Sequence, residues 1–113
     1  MLKTEFKLNE ERILQDGKYE PERIYRSVDN AFAKCNLQKT VLDDGTIRFS
    51  GTGHPDDYAH FGLLITSLIE KDWFAPYLDN WLWFNSDRGY DENDFSVEDI
   101  LEFYREEGVL HSA

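Results

Sequence analysis

The sequence predicts an α+β fold: a small three-stranded antiparallel sheet, made of an N-terminal strand plus a hairpin, packed against four to five helices. The expected order is β-α-α-β-β-α-α-α, in one compact acidic domain over residues 1–113. Three observations carry this. Residues 2–8 alternate apolar and polar side chains, residues 39–50 read as two short strands around a glycine turn, and most of the remaining apolar residues recur at three- and four-residue steps.

Leu2, Thr4, Phe6 and Leu8 alternate with Lys3, Glu5 and Lys7, the period of a strand with one buried face. A short helix follows, with Asn9 as N-cap, Leu8 and Ile13 at the two positions of a hydrophobic staple, and Gly17 at the end. Pro21 opens the next helix, where its missing N–H costs nothing. Ile24, Val28, Ala31, Phe32 and Cys35 form its apolar stripe, and Asn36 suits a left-handed closing position. Residues 39–42 and 46–50 flank Asp43-Asp44-Gly45, a hairpin turn. The first strand should pair with this hairpin, because two strands alone are marginal in water.

Residues 56–85 are the densest apolar stretch and hold Trp73, Trp81 and Trp83. Tyr58, Phe61, Leu64, Ile65, Leu68 and Ile69 predict a helix running from Pro55 to residue 71 or 72. A second helix is expected from Pro76, since proline disfavours helical geometry at the residue before it. Trp73, Tyr77, Trp81 and Phe84 would share one of its faces, with Phe74, Leu78 and Leu82 on the next, while Trp83 falls off both, beside Asp79 and Asn80. An exposed tryptophan next to carboxylates suits a binding anchor. The last helix is expected to start at Ser96 as N-cap, with Phe95 and Ile100 as a staple, and to close at Gly108. Val97, Ile100, Leu101 and Tyr104 would be buried, leaving Glu98, Glu102 and Glu106 as an outward acidic row.

The 113 residues carry a formal charge of −11. Residues 1–40 have eight Lys/Arg against seven Asp/Glu, whereas residues 41–113 have four against sixteen, so the excess lies in the C-terminal two-thirds. Such a surface repels nucleic acid and anionic lipid and attracts basic partners. The single cysteine, Cys35, excludes an intrachain disulfide and is expected to be a buried, inert thiol. No apolar run approaches the ~20 residues of a membrane span, and no signal peptide is recognisable. These features predict a reducing cytoplasm.

Candidate chemistry is thin. His54, Asp56 and His60 offer two imidazoles and a carboxylate near one helix start, the ligand types of an open metal site. N-terminal charge capping plus a surface histidine explains them as well, so no metal or other cofactor is assigned. Gly51-Thr52-Gly53 precedes a helix, but Asp56 and Asp57 occupy the end where a phosphate would bind. Residues 87–94 depart from a calcium loop: Gly89 falls where a ligating oxygen is needed and Glu92 where glycine is. Neither Cys35, Ser67 nor Ser86 has a recognisable catalytic setting, so no enzyme is predicted.

What stands out is a segment over residues 87–107 that carries nine acidic residues against Arg88 and Arg105. Trp83, Asp87, Tyr90, Asp91, Glu92, Asp94, Glu98, Glu102 and Glu106 are the candidate partner-binding residues. In size and charge the chain resembles, as a class, the small acidic inhibitors of phages and mobile elements: anti-CRISPR, anti-restriction and other DNA-mimic proteins. That resemblance assigns no role to any single residue. It implies an acidic protein-binding module whose partner is a basic protein, such as a nuclease or other nucleic-acid-binding protein, with no direct contact to nucleic acid or membrane. The alternatives are a structural, regulatory or immunity protein charged for solubility, and a metal-dependent enzyme using His54, Asp56 and His60.

Overall fold

A computed structural model describes residues 2–85 and 96–106, with the backbone alone for 104–106. The fold is α+β, but its sheet has five strands, not three. In chain order the elements are β1 (Leu2–Leu8), α1 (Glu10–Asp16), α2 (Pro21–Ala33), β2 (Gln38–Val41), β3 (Ile47–Ser50), α3 (Asp57–Ile69), a single 3-10 turn (Ala75–Tyr77), β4 (Leu78–Asn85), β5 (Ser96–Asp99) and α4 (Ile100–Glu106). All pairings are antiparallel, in the spatial order β2-β3-β1-β4-β5.

The first half follows the pattern of its side chains. Buried and half-buried residues alternate along β1, as its period requires. The Asn9 side chain accepts the Arg12 N–H, and Gly17 and Asn36 both take positive φ where their helices close. Ile24, Val28 and Phe32 bury one face of α2. The hairpin turns at Gly45, and β3 pairs with β1 from Lys3↔Ser50 to Phe6↔Ile47. Cys35 is half-buried against the core rather than fully enclosed.

The second half corrects the expected order at two places. The residues after Pro76 form β4, not a helix, and run beside β1 from Leu2↔Asn85 to Leu8↔Leu78. Between Lys7 and Leu8 the register shifts, so that Leu78, Asp79 and Asn80 occupy a stretch that Leu8 and Lys7 span on β1. This bulge puts Leu78 and Trp81 both in the core although they are three apart in sequence. A spacing of three mimics a helical stripe. Beyond the bulge, Trp81 and Trp83 share the helix-covered face, opposite Phe6 and Thr4, while Leu82 and Phe84 lie on the other. Apolar residues on both faces hide the period of two, and such a run cannot be told from a buried helix by spacing.

The second correction is at Ser96. Residues 96–99 form β5, paired with β4 from Leu82↔Asp99 to Asn85↔Ser96. The helix begins only at Ile100, capped by Asp99, whose Oδ1 accepts the Glu102 N–H at 3.0 Å. Val97 is therefore an exposed strand residue, while Ile100 and Leu101 are buried as expected.

The core is aromatic at its centre. Phe32 stacks on Phe49 at 4.0 Å between centroids, and Phe6 meets Phe74 edge-on at 5.1 Å. Phe74 in turn meets Trp81 edge-on at 5.1 Å. Burying a side chain of this size contributes on the order of 1.5–3 kcal/mol. Three polar side-chain groups in or at the edge of the core are satisfied. The indole of Trp81 donates to Thr4 Oγ1 at 3.0 Å, and that hydroxyl donates to the Leu82 carbonyl at 2.8 Å. Tyr77 donates to Asp16 Oδ2 at 2.8 Å, and burial together with this bond pushes its phenol up to about 12. Among the described residues no helix is long and apolar enough to cross a membrane.

The Thr4–Trp81 bond makes a direct prediction. Thr4→Val keeps the side-chain shape but removes the acceptor, and should destabilise by about 1–3 kcal/mol in urea unfolding. Trp81→Phe should then cost less in the Thr4→Val background than in the wild type. Strictly additive losses would show that the bond contributes nothing.

Candidate functional site

The sequence-predicted candidates fall at two places among the described residues: the turn between β3 and α3, and a cleft beside β5.

In the turn, Asp57 is 6% exposed yet charged. Its carboxylate accepts the Thr52 N–H at 2.7 Å, the Thr52 hydroxyl at 2.8 Å and the Gly53 N–H at 2.9 Å. Burial alone would raise its pKa, but the hydrogen bonds from Thr52 and Gly53 outweigh burial and hold it below the ordinary value. The backbone donors that would cradle a phosphate are thus already used by an internal anion. Gly51 is needed because a Cβ there would meet Asp57 Oδ2 at 2.7 Å. Close by, His54 Nδ1 accepts the Asp56 N–H at 3.1 Å and lies 3.6 Å from the Asp56 carboxylate. His60 sits one turn into α3 and donates its backbone N–H to the Asp56 carbonyl. Among the described residues no group of three or more His, Cys, Asp or Glu is placed to hold a metal ion.

The cleft lies between α3 on one side and β4, β5 and α4 on the other, with a volume of about 740 Å³. Tyr58, Gly62 and Ile65 line it from α3, and Trp83 from β4. Phe61, fully buried, supports Trp83 edge-on at 5.0 Å, and Trp83 meets Tyr58 edge-on at 6.5 Å. A row of rings thus leads from core to surface, ending on Tyr58, which is 64% exposed. Phe103, 56% exposed, faces the cleft from α4. Glu98, Asp99 and Glu102 also line it. Glu98 stands directly opposite Trp83 in the β4–β5 register, the spacing at which cross-strand side chains touch.

Of the residues singled out from sequence, the fold brings Trp83, Glu98 and Glu102 to this one cleft. They do not form the helical row expected, because Glu98 belongs to a strand; only Glu102 and Glu106 share α4. Asp87, Tyr90, Asp91, Glu92 and Asp94 lie outside the described residues, as does the side chain of Glu106. The sequence reading missed Tyr58 and Phe103 as surface residues. The spacing puts Tyr58 on the core stripe of α3, but it is exposed while its neighbours Asp57 and Phe61 are buried. Comparison with protein-family models, curated proteins and solved structures finds no match to this chain.

The turn yields a pH prediction. Since Asp57 titrates below its ordinary value of 3.8, the stability it supplies is complete above that value and lost as pH falls through the folded one. Asp57→Asn should lower stability by about 2 kcal/mol at pH 7. The gap to the wild type should close on acidification; a gap independent of pH would exclude this role for the charge. Gly51→Ala should also destabilise, by displacing the carboxylate.

Proposed function

We propose that this chain is a non-enzymatic, acidic protein-binding module of the cytoplasm. Its partner is a basic protein, in the sharpest form a nuclease or other nucleic-acid-handling protein that it inhibits by occupying the groove meant for phosphates. The observation that carries this reading is the cleft beside β5, where exposed aromatic rings and the carboxylates of Glu98, Asp99 and Glu102 line one surface. Aromatic residues supply contact area at modest entropic cost, and carboxylates supply the attraction to a cationic surface.

The charge distribution supports the same reading. The sixteen acidic residues after residue 40 face only four basic ones. The ion pairs Lys39–Asp29 and Arg48–Glu5, each at 2.8 Å, hold these two cations against partners from the N-terminal part of the chain. Neither Lys39 nor Arg48 is therefore paired with the carboxylates around β5. A DNA duplex places a negative charge about every 1.7 Å along its axis, and a protein evolved to bind it presents cations at matching density. A folded surface rich in carboxylates competes for those cations. A single cysteine, half-buried, is in keeping with a reducing compartment.

Affinity capture from cell lysate tests this. The wild type should enrich basic nucleic-acid-binding proteins at low salt and lose them as salt is raised. Glu98→Lys combined with Glu102→Lys should abolish the enrichment with little change in stability, because both side chains are exposed. Capture that is indifferent to salt and to the charge reversal would remove the basis for the proposal.

A further inference from the structure

We propose that the cleft between α3, β5 and α4 is a pocket for an arginine side chain presented by the basic partner. This rests on the function proposed above and specifies what the surface reads.

Three features of the cleft select the guanidinium. The first is aromatic. Tyr58 and Trp83 meet at 69° with their centroids 6.5 Å apart, and Phe103 approaches from α4. Such rings present the negative faces on which a planar cation stacks. The second is anionic. Glu98 lies across the strand pair from Trp83, and the Glu102 backbone is fixed by the Asp99 cap. Among the described residues no lysine, arginine or histidine is within ion-pair distance of either glutamate. Two carboxylates beside an aromatic wall match the five-donor fork of arginine better than the point charge of lysine, which also loses more hydration on entering. The third is space. Gly62 lines the cleft, and a Cβ built on it would meet nothing within 4 Å. The volume, about 740 Å³, lies in the range of ligand clefts and leaves room for the backbone flanking the arginine.

Phe61 gives the site rigidity. It is fully buried and packs against Trp83 from below, so the ring that would stack on the guanidinium is held before the ligand arrives. A preformed wall spares the ordering cost that flexible aromatic side chains would incur.

Calorimetric titration of the full chain with hexa-arginine and hexa-lysine peptides, at one low salt concentration, tests the pocket. Hexa-arginine should bind about fivefold or more tightly than hexa-lysine, the scale of a partly desolvated cation–π contact. Tyr58→Ala should erase most of that preference while leaving hexa-lysine binding nearly unchanged. Gly62→Leu should do the same by filling the cleft, and its fold is secured by a better helix former at an open position. Asp43→Asn with Asp44→Asn, two charges removed at the distant hairpin turn, should weaken both peptides alike. Equal binding of the two peptides, or an arginine preference that survives both cleft substitutions, overturns the pocket but leaves the acidic-module reading standing. Failure of the wild type to bind either peptide overturns both.

Discussion

The hydrogen bond from the Trp81 indole to Thr4 Oγ1 joins the two strands on which the rest of the molecule is laid. Both residues are fully buried, so neither polar group has water as an alternative. Trp81 can reach Thr4 only if β4 runs antiparallel to β1 in one register, with Phe6 opposite Trp81 and Thr4 opposite Trp83. A slip by one residue would turn Trp81 and Trp83 to the far face and leave the Thr4 hydroxyl unsatisfied. The bulge at Asp79 reconciles that register with burial of Leu78, and from there the chain is anchored again: Asn9 donates its backbone N–H to the Tyr77 carbonyl at 2.7 Å and its side chain to Asp79 Oδ1 at 3.1 Å. The central strand is thus the first in sequence, and its partners on either side come from residues 47–50 and 78–85.

The local signals in the sequence were readable where one physical cause acted alone. Asn9, Gly17, Asn36 and Gly45 each answer to a cap or turn, and the structure places each of them so. The alternation of β1 follows from one buried face. The reading failed where two causes overlapped. In residues 78–85 the strand carries aromatic or aliphatic residues on both faces, and the bulge inserts a step of three; together they reproduce helical spacing. At Ser96 the capping pattern was real but lay three residues early: Asp99, not Ser96, holds the first turn. Both places belong to the same pair of strands, β4 and β5, the two that the sequence pattern conceals.

The candidate site was legible in part for a related reason. Charge and residue type pointed to Trp83, Glu98 and Glu102, and these line one cleft. Their arrangement was not legible, because the strand pairing that sets Glu98 opposite Trp83 is non-local. Tyr58 was not legible as a surface residue, because its spacing to Phe61 and Ile65 matches the buried stripe of α3, and Phe103 lies off the stripe of α4 with nothing in its spacing to mark it as part of a cleft. The turn at Asp57 shows the opposite case. A Gly-x-Gly before a helix suggests an anion site, and an anion does occupy it, but one supplied by the chain itself.

Among the described residues the sheet ends in β2 and β5, which have no strand on their outer sides, and every residue of both is exposed. An open strand edge invites another copy to add on, and Val41, 61% exposed, would favour such growth. The two ends are guarded differently. At β5, Glu98 and Asp99 put like charges on any two copies that approach edge to edge. At β2, Lys39 is held back against Asp29, so its charge is retained beside the ladder rather than swung into solvent. The carboxylates of Glu98 and Asp99 that dress the cleft thus also set like charges against any pairing of one β5 edge with another.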